Sequence, residues 1–70
     1  MNFYYFNSSP DEHGYHEVHS QTCSYLPNSS HMVDISYCDS CHEALSLARY
    51  KYPSLKFDGC YWCCQECHKL

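Results

Sequence analysis

The string Cys60-Tyr61-Trp62-Cys63-Cys64-Gln65-Glu66-Cys67-His68 places four thiols and an imidazole within nine residues. It is one Cys-x-x-Cys directly abutting another, with a histidine attached. A thiolate is a soft ligand, and a two-residue gap lets both sulfurs reach one tetrahedral ion. The string therefore predicts a metal or thiol site, and a tetrahedral metal needs a second pair from elsewhere. Three upstream candidates compete. His19-x-x-x-Cys23 sits where a strand is expected to run into a loop, which can curl the second ligand back toward the first. Cys38-x-x-Cys41 has familiar zinc half-site spacing, but Cys41 falls on the apolar face of an expected helix, where a cysteine behaves as a small hydrophobe. The trio His13, His16 and His19 is divided by strand alternation, which turns His16 away from His19. Within the C-terminal string, Cys60 with Cys63 and Cys64 with Cys67 are equally good pairs, and a second site from Cys38, Cys41, Cys64 and Cys67 has the right ligand count. His42 and His68 each follow a cysteine and read as exposed or as donors behind the ligands.

The elements that must position these groups are legible around them. Phe3-Tyr4-Tyr5-Phe6 is strand-forming, Asn7 to Gly14 is turn chemistry, and Tyr15 to His19 reads as a returning strand. Met32 to Tyr37 predicts a third, short strand. Ser40 with Glu43 three residues on is a capping box. Cys41, Ala44, Leu45, Ala48 and Tyr52 then lie on one helical face, and Pro53 ends the helix near Lys51. Asp58-Gly59 reads as a turn delivering Cys60, and Gln65 to Lys69 as a final helical turn. The expectation is one α+β domain over residues 1–70: an antiparallel sheet of about three strands, one helix across it and a cysteine-rich C-terminal knuckle.

Seventy residues bury too little apolar area to be comfortably stable without a staple, and seven cysteines offer one. Metal is favoured over disulfides. The start Met1 to Phe6 has neither the basic region nor the apolar run of a secretory signal, the cysteine count is odd, and a bridge between Cys63 and Cys64 would be strained. These points predict a cytoplasmic protein, and no apolar run approaches a membrane span. The formal charge is −4, with no Lys or Arg before Arg49 and six acids in that stretch. So acidic a chain disfavours nucleic acid, which needs clustered cations, and points to a protein partner; no small-molecule substrate is implied.

The order His19-x-x-x-Cys23, a strand, a capped helix carrying Glu43-Ala44, then Cys60-x-x-Cys63 is similar to the Ada-type metal-binding module of DNA repair and its small bacterial relatives. The resemblance spans about residues 15 to 63, with a longer interval between the two pairs here. It implies one Zn2+ per chain held by His19, Cys23, Cys60 and Cys63, with Cys64, Cys67, Cys38 and Cys41 as alternates. The family's first ligand is a cysteine that accepts a methyl group; here it is His19, so methyl transfer does not carry over. The chain also resembles small bacterial Cys/His-rich proteins, a likeness that implies no activity. The expected function is a non-enzymatic zinc module of structural or interaction type. Thiol redox chemistry or labile metal handling by the C-terminal cysteines is the alternative. A hydrolytic zinc is disfavoured, because a thiolate-rich set closes the site and weakens the Lewis acid.

Overall fold

A computed structural model describes residues 1–69. Strand β1 (Asn2–Asn7) and strand β2 (His16–Ser20) form an antiparallel hairpin, with Tyr5 opposite His19 and Phe6 opposite Val18. The loop between them is built on Asp11, whose carboxylate accepts the N–H groups of His13 and Tyr15, both at 2.9 Å. Those two bonds and a positive φ of 84° at Gly14 turn the chain. Strand β3 (Met32–Cys38) pairs antiparallel with the other side of β1. Its register slips between Tyr4 and Tyr5, leaving Ile35 without a partner on β1. The ammonium of Lys51 donates to the Ile35 carbonyl at 2.6 Å, so the bulge does not strand a polar group.

Helix α1 (Cys41–Lys51) starts at Ser40, whose Oγ accepts from the Glu43 N–H. Glu43 returns the favour one residue earlier than a standard capping box, accepting the N–H of Asp39 at 2.7 Å. Cys41, Ala44, Leu45 and Ala48 are buried against the sheet, as their spacing predicts. Tyr52, just past the helix, packs edge-on against Phe6, and Phe57 and His16 complete this aromatic end of the core. His16 is buried there with its Nδ1–H donating to the Asn7 carbonyl at 2.7 Å, on the face opposite to His19.

Two expectations are corrected. The sheet has four strands, not about three, in the order β3-β1-β2-β4, and it is mixed rather than antiparallel. Strand β4 is Phe57–Gly59, the stretch read as a turn, and it pairs parallel with β2. Parallel strands need a long crossover, and α1 supplies it, leading from β3 at one edge to β4 at the other. An aspartate is at home in this strand because its buried carboxylate accepts the Lys69 N–H at 2.8 Å and meets His68 Nδ1 at 3.2 Å. The second correction concerns sulfur: Cys41 and Cys67 form a disulfide across 26 residues of sequence. The odd cysteine count argued against full pairing and left room for one bridge. Closing a loop of that length restricts the unfolded chain by about 3.5 kcal/mol in the chain-entropy view.

The C-terminal segment lies directly on Gly59. A Cβ there would come within 2.7 Å of both the Cys64 carbonyl oxygen and the Cys67 Cβ. Gly59→Ala is therefore expected to destabilise the fold by about 3 kcal/mol, the upper end of overpacking costs. Urea unfolding should show a lowered midpoint with an unchanged slope.

Candidate metal centre

The centre forms where β2 and β4 end. Because they run parallel, their C-terminal ends lie side by side, and the pairing of Val18 with Gly59 continues through a Cys60 N–H to Val18 carbonyl bond of 2.9 Å. His19 on β2 and Cys60 just past β4 are thereby neighbours. Each strand is then followed by a tight reversal that returns a second ligand. After β2, the Cys23 N–H bonds to the Ser20 carbonyl at 3.1 Å; after β4, the Cys64 N–H bonds to the Cys60 carbonyl at 2.8 Å. The first reversal brings Cys23 back to His19, and the second brings Cys63 back to Cys60.

The ligand atoms of His19, Cys23, Cys60 and Cys63 all lie within 4.8 Å of one another. Cys23 Sγ is 3.6 Å from His19 Nδ1 and 3.9 Å from Cys60 Sγ, and Cys63 Sγ is 3.9 Å from His19 Nδ1. A tetrahedron built with ordinary zinc–sulfur and zinc–nitrogen bond lengths has edges of roughly 3.5–3.8 Å. The four donors thus already stand close to the separations a metal ion would impose. The first three residues are buried and Cys63 is partly exposed, beside a surface hollow of about 380 Å³ that Tyr25 and Trp62 also line.

The surroundings suit a neutral imidazole and, until an ion displaces their protons, neutral thiols at Cys23 and Cys60. Burial first, and then the neighbouring thiols, push Cys23 and Cys60 above their ordinary range. Backbone N–H groups oppose this at both thiols: that of Tyr25 donates to Cys23 Sγ at 3.4 Å, and those of Cys63 and Trp62 act likewise on Cys60. The Ser20 N–H donates to Cys63 Sγ, also at 3.4 Å. Burial lowers the His19 pKa, so its ring is neutral and Nδ1 is free to ligate. The other nitrogen, Nε2, faces Glu17 Oε1 at 3.7 Å, in the carboxylate–histidine–metal order that orients a ligating ring. The resemblance implied these four donors, which spacing alone did not choose; the N–H groups aimed at sulfur leave no mark in side-chain identity, since any residue supplies them.

The remaining candidates lie elsewhere. Cys38 closes β3 in the core behind α1, and Cys64 faces the same core, its thiol pushed up to about 12 chiefly by burial. Cys41 and Cys67 are bonded to each other, so the four-sulfur site from Cys38, Cys41, Cys64 and Cys67 does not form. Cys41 is buried in the core, as its place on the helix face predicts, but it is not a free thiol. His13 is exposed beside Glu12, and His68 donates its Nδ1–H to the Gly59 carbonyl, 2.9 Å away. His42, expected to be exposed, is exposed, and it also stands within 4.8 Å of the Cys41 and Cys67 sulfurs. No family model, curated protein or solved structure matches this chain.

Because three of the four donors are thiols and the imidazole is already neutral, filling the centre at pH 7 should release about three protons per ion. Metal affinity should accordingly fall steeply as pH is lowered. Calorimetry in buffers of different ionisation enthalpy reads the proton count directly. Without metal, the buried neutral His19 adds a second dependence. Its contribution to stability is present above the ordinary histidine value of 6.5 and is lost as pH falls below that through the lowered folded value. Glu17→Gln should weaken metal binding by about 10–100-fold while leaving the stoichiometry unchanged.

Proposed function

We propose that this chain is a small zinc-stabilised interaction module, with Zn2+ held by His19, Cys23, Cys60 and Cys63 as scaffold rather than as catalyst. The observation that carries the reading is the convergence of one nitrogen and three sulfurs, from two separate chain reversals, at near-tetrahedral separations. Three soft thiolates and an imidazole in that geometry favour zinc over the hard, oxygen-seeking cations. Four protein ligands complete the tetrahedron and leave no open position for a substrate or an activated water. The similar ligand order in the Ada-type module supports a metal at this place in the chain. With His19 where that family carries its methyl-accepting cysteine, methyl transfer is not part of the proposal.

Thiol redox chemistry is the weaker reading. A redox thiol works with a lowered pKa, whereas burial raises Cys23, Cys60 and Cys64. Function is then sought on the surface that the metal holds in place. Tyr25, Tyr61 and Trp62 project from the two ligand loops and are 58%, 47% and 63% exposed. Tyr25 stacks on Trp62 with ring centroids 5.2 Å apart, and Tyr61 meets Trp62 edge-on. Aromatic groups of this kind anchor protein–protein contacts, and the net charge of −4 sets the surface against nucleic acid.

Native mass spectrometry on protein purified without added metal is expected to show one zinc per chain. His19→Ala should weaken zinc binding by more than ~100-fold, beyond what loss of an outer partner costs. Chelation should abolish the near-UV signal of Trp62 and the tyrosines, since structural zinc contributes on the order of 10 kcal/mol to folding. A chain that keeps its tertiary signal after complete metal removal would rule out the scaffold role.

A further inference from the structure

A second cluster of donors stands apart from the first and shares no residue with it. Cys41 opens α1 and Cys67 ends the short 3-10 turn Gln65–Cys67; they meet in the disulfide. The adjacent His42 ring lies within 4.8 Å of both sulfurs. Glu66, from the same turn as Cys67, bridges the group. Its Oε1 is 3.7 Å from Cys41 Sγ, and its Oε2 is 3.9 Å from His42 Nε2. Two sulfurs and an imidazole nitrogen lie within 4.8 Å of one another, and the Glu66 carboxylate beside them is the oxygen that could supply a fourth donor for a divalent ion of zinc type. His42 and Glu66 are mostly exposed, so an ion reaches the group directly from solvent.

While the sulfurs are bonded to each other, neither is a thiolate and the set is incomplete. Reducing compartments keep such pairs as thiols. We propose that the Cys41–Cys67 disulfide is the closed state of a redox-gated metal site, and that its reduction lets Cys41, Cys67, His42 and Glu66 take up a second divalent ion. The chemistry balances with a dithiol as reductant. The dithiol gives two electrons and two protons, the Cys41–Cys67 bond breaks to two thiols, and the dithiol closes to its own disulfide. The ion then displaces the two thiol protons to solvent as two metal–sulfur bonds form. Two thiolates and a carboxylate around a divalent ion leave net negative charge, and Arg49 and Lys69 line the hollow beside the group, where they offset it.

In either state the C-terminal segment remains tied to the start of α1, by a covalent bond when oxidised and through an ion when reduced. A plain structural disulfide differs from this in one respect: its reduction creates no new metal affinity.

The test is zinc stoichiometry by native mass spectrometry on the full chain, oxidised and after reduction with a phosphine, which leaves no competing thiol. The readout is the gain on reduction, so it is separate from whether the first centre fills. Wild type should gain one ion. His42→Ala should keep the oxidised-state count, with affinity for the added ion weakened by at least ~100-fold. The double variant Cys41→Ser, Cys67→Ser should bind the same number of ions in both conditions. Equal counts for oxidised and reduced wild type would overturn the proposal. So would a gain that survives in the double variant, which would assign the added ion to Cys38 or Cys64.

Discussion

The parallel pairing of β2 with β4 is the constraint on which the rest of the molecule depends. Had β4 run antiparallel to β2, its exit would lie at the far end of the sheet, and Cys60 and Cys63 would be a strand length from His19 and Cys23. Parallel pairing brings both exits to one corner, and each exit needs only a single tight reversal to return its second ligand. The pairing also dictates the use of the helix, since a parallel partner cannot be reached by a hairpin. Helix α1 is therefore both the main apolar cover of the sheet and the crossover that allows the centre to exist.

Three residues make a weak strand, and β4 holds its place through what is attached to it. Phe57 packs edge-on to Phe6 with ring centroids 4.9 Å apart. Asp58 accepts the Lys69 backbone N–H, and Gly59 admits the C-terminal segment to within atomic contact. Two sulfur-based ties bear on the same segment: an ion held by the four donors would join its beginning to β2, and the disulfide joins its end to α1. Between them lies Cys64, turned inward to the core. Adjacent cysteines thus take different roles with sulfurs only 4.0 Å apart, Cys63 among the four donors and Cys64 in the core. So small a core supplies little stability by itself, and the ties fall where the covalent chain leaves the sheet least constrained.

Local patterns in the sequence were a good guide wherever the structure is itself local. The hairpin, the face and ends of α1 and the opposite orientations of His16 and His19 all follow from periods of 2 or 3.6 and from capping chemistry. That the C-terminal string makes a metal or thiol site was also legible, because few other roles call for that many thiols at two-residue gaps, but the choice of His19, Cys23, Cys60 and Cys63 came from the resemblance and not from spacing. What escaped was non-local. Asp58-Gly59 is a strong turn dipeptide by composition, and its strand character comes from β2, about forty residues earlier in the chain, where no neighbouring residue reports it. The Cys41–Cys67 bond is of the same kind. Its spacing of 26 residues has no signature, and Cys41 satisfies a helix-face pattern that explains its burial without needing a partner.

The excess of sulfur over one tetrahedral site invites the picture of a metal buffer, a chain that holds several loosely placed ions. The placement of the cysteines argues for division of labour instead. Three sulfurs converge with His19, two are joined to each other, and Cys38 and Cys64 are packed among Tyr4, Ile35 and the helix face. A buffer draws its lability from ligands that exchange freely with solvent, and of the five unbonded thiols only Cys63 has appreciable access to it. The N–H groups of Ser20 and Tyr25 aimed at sulfur further fix the donors before any ion arrives. A centre so preorganised loses little freedom on binding and favours a single long-lived ion over rapid traffic. On the proposed reading, the surface left to meet a partner is then the stacked aromatic rings carried by the same two loops.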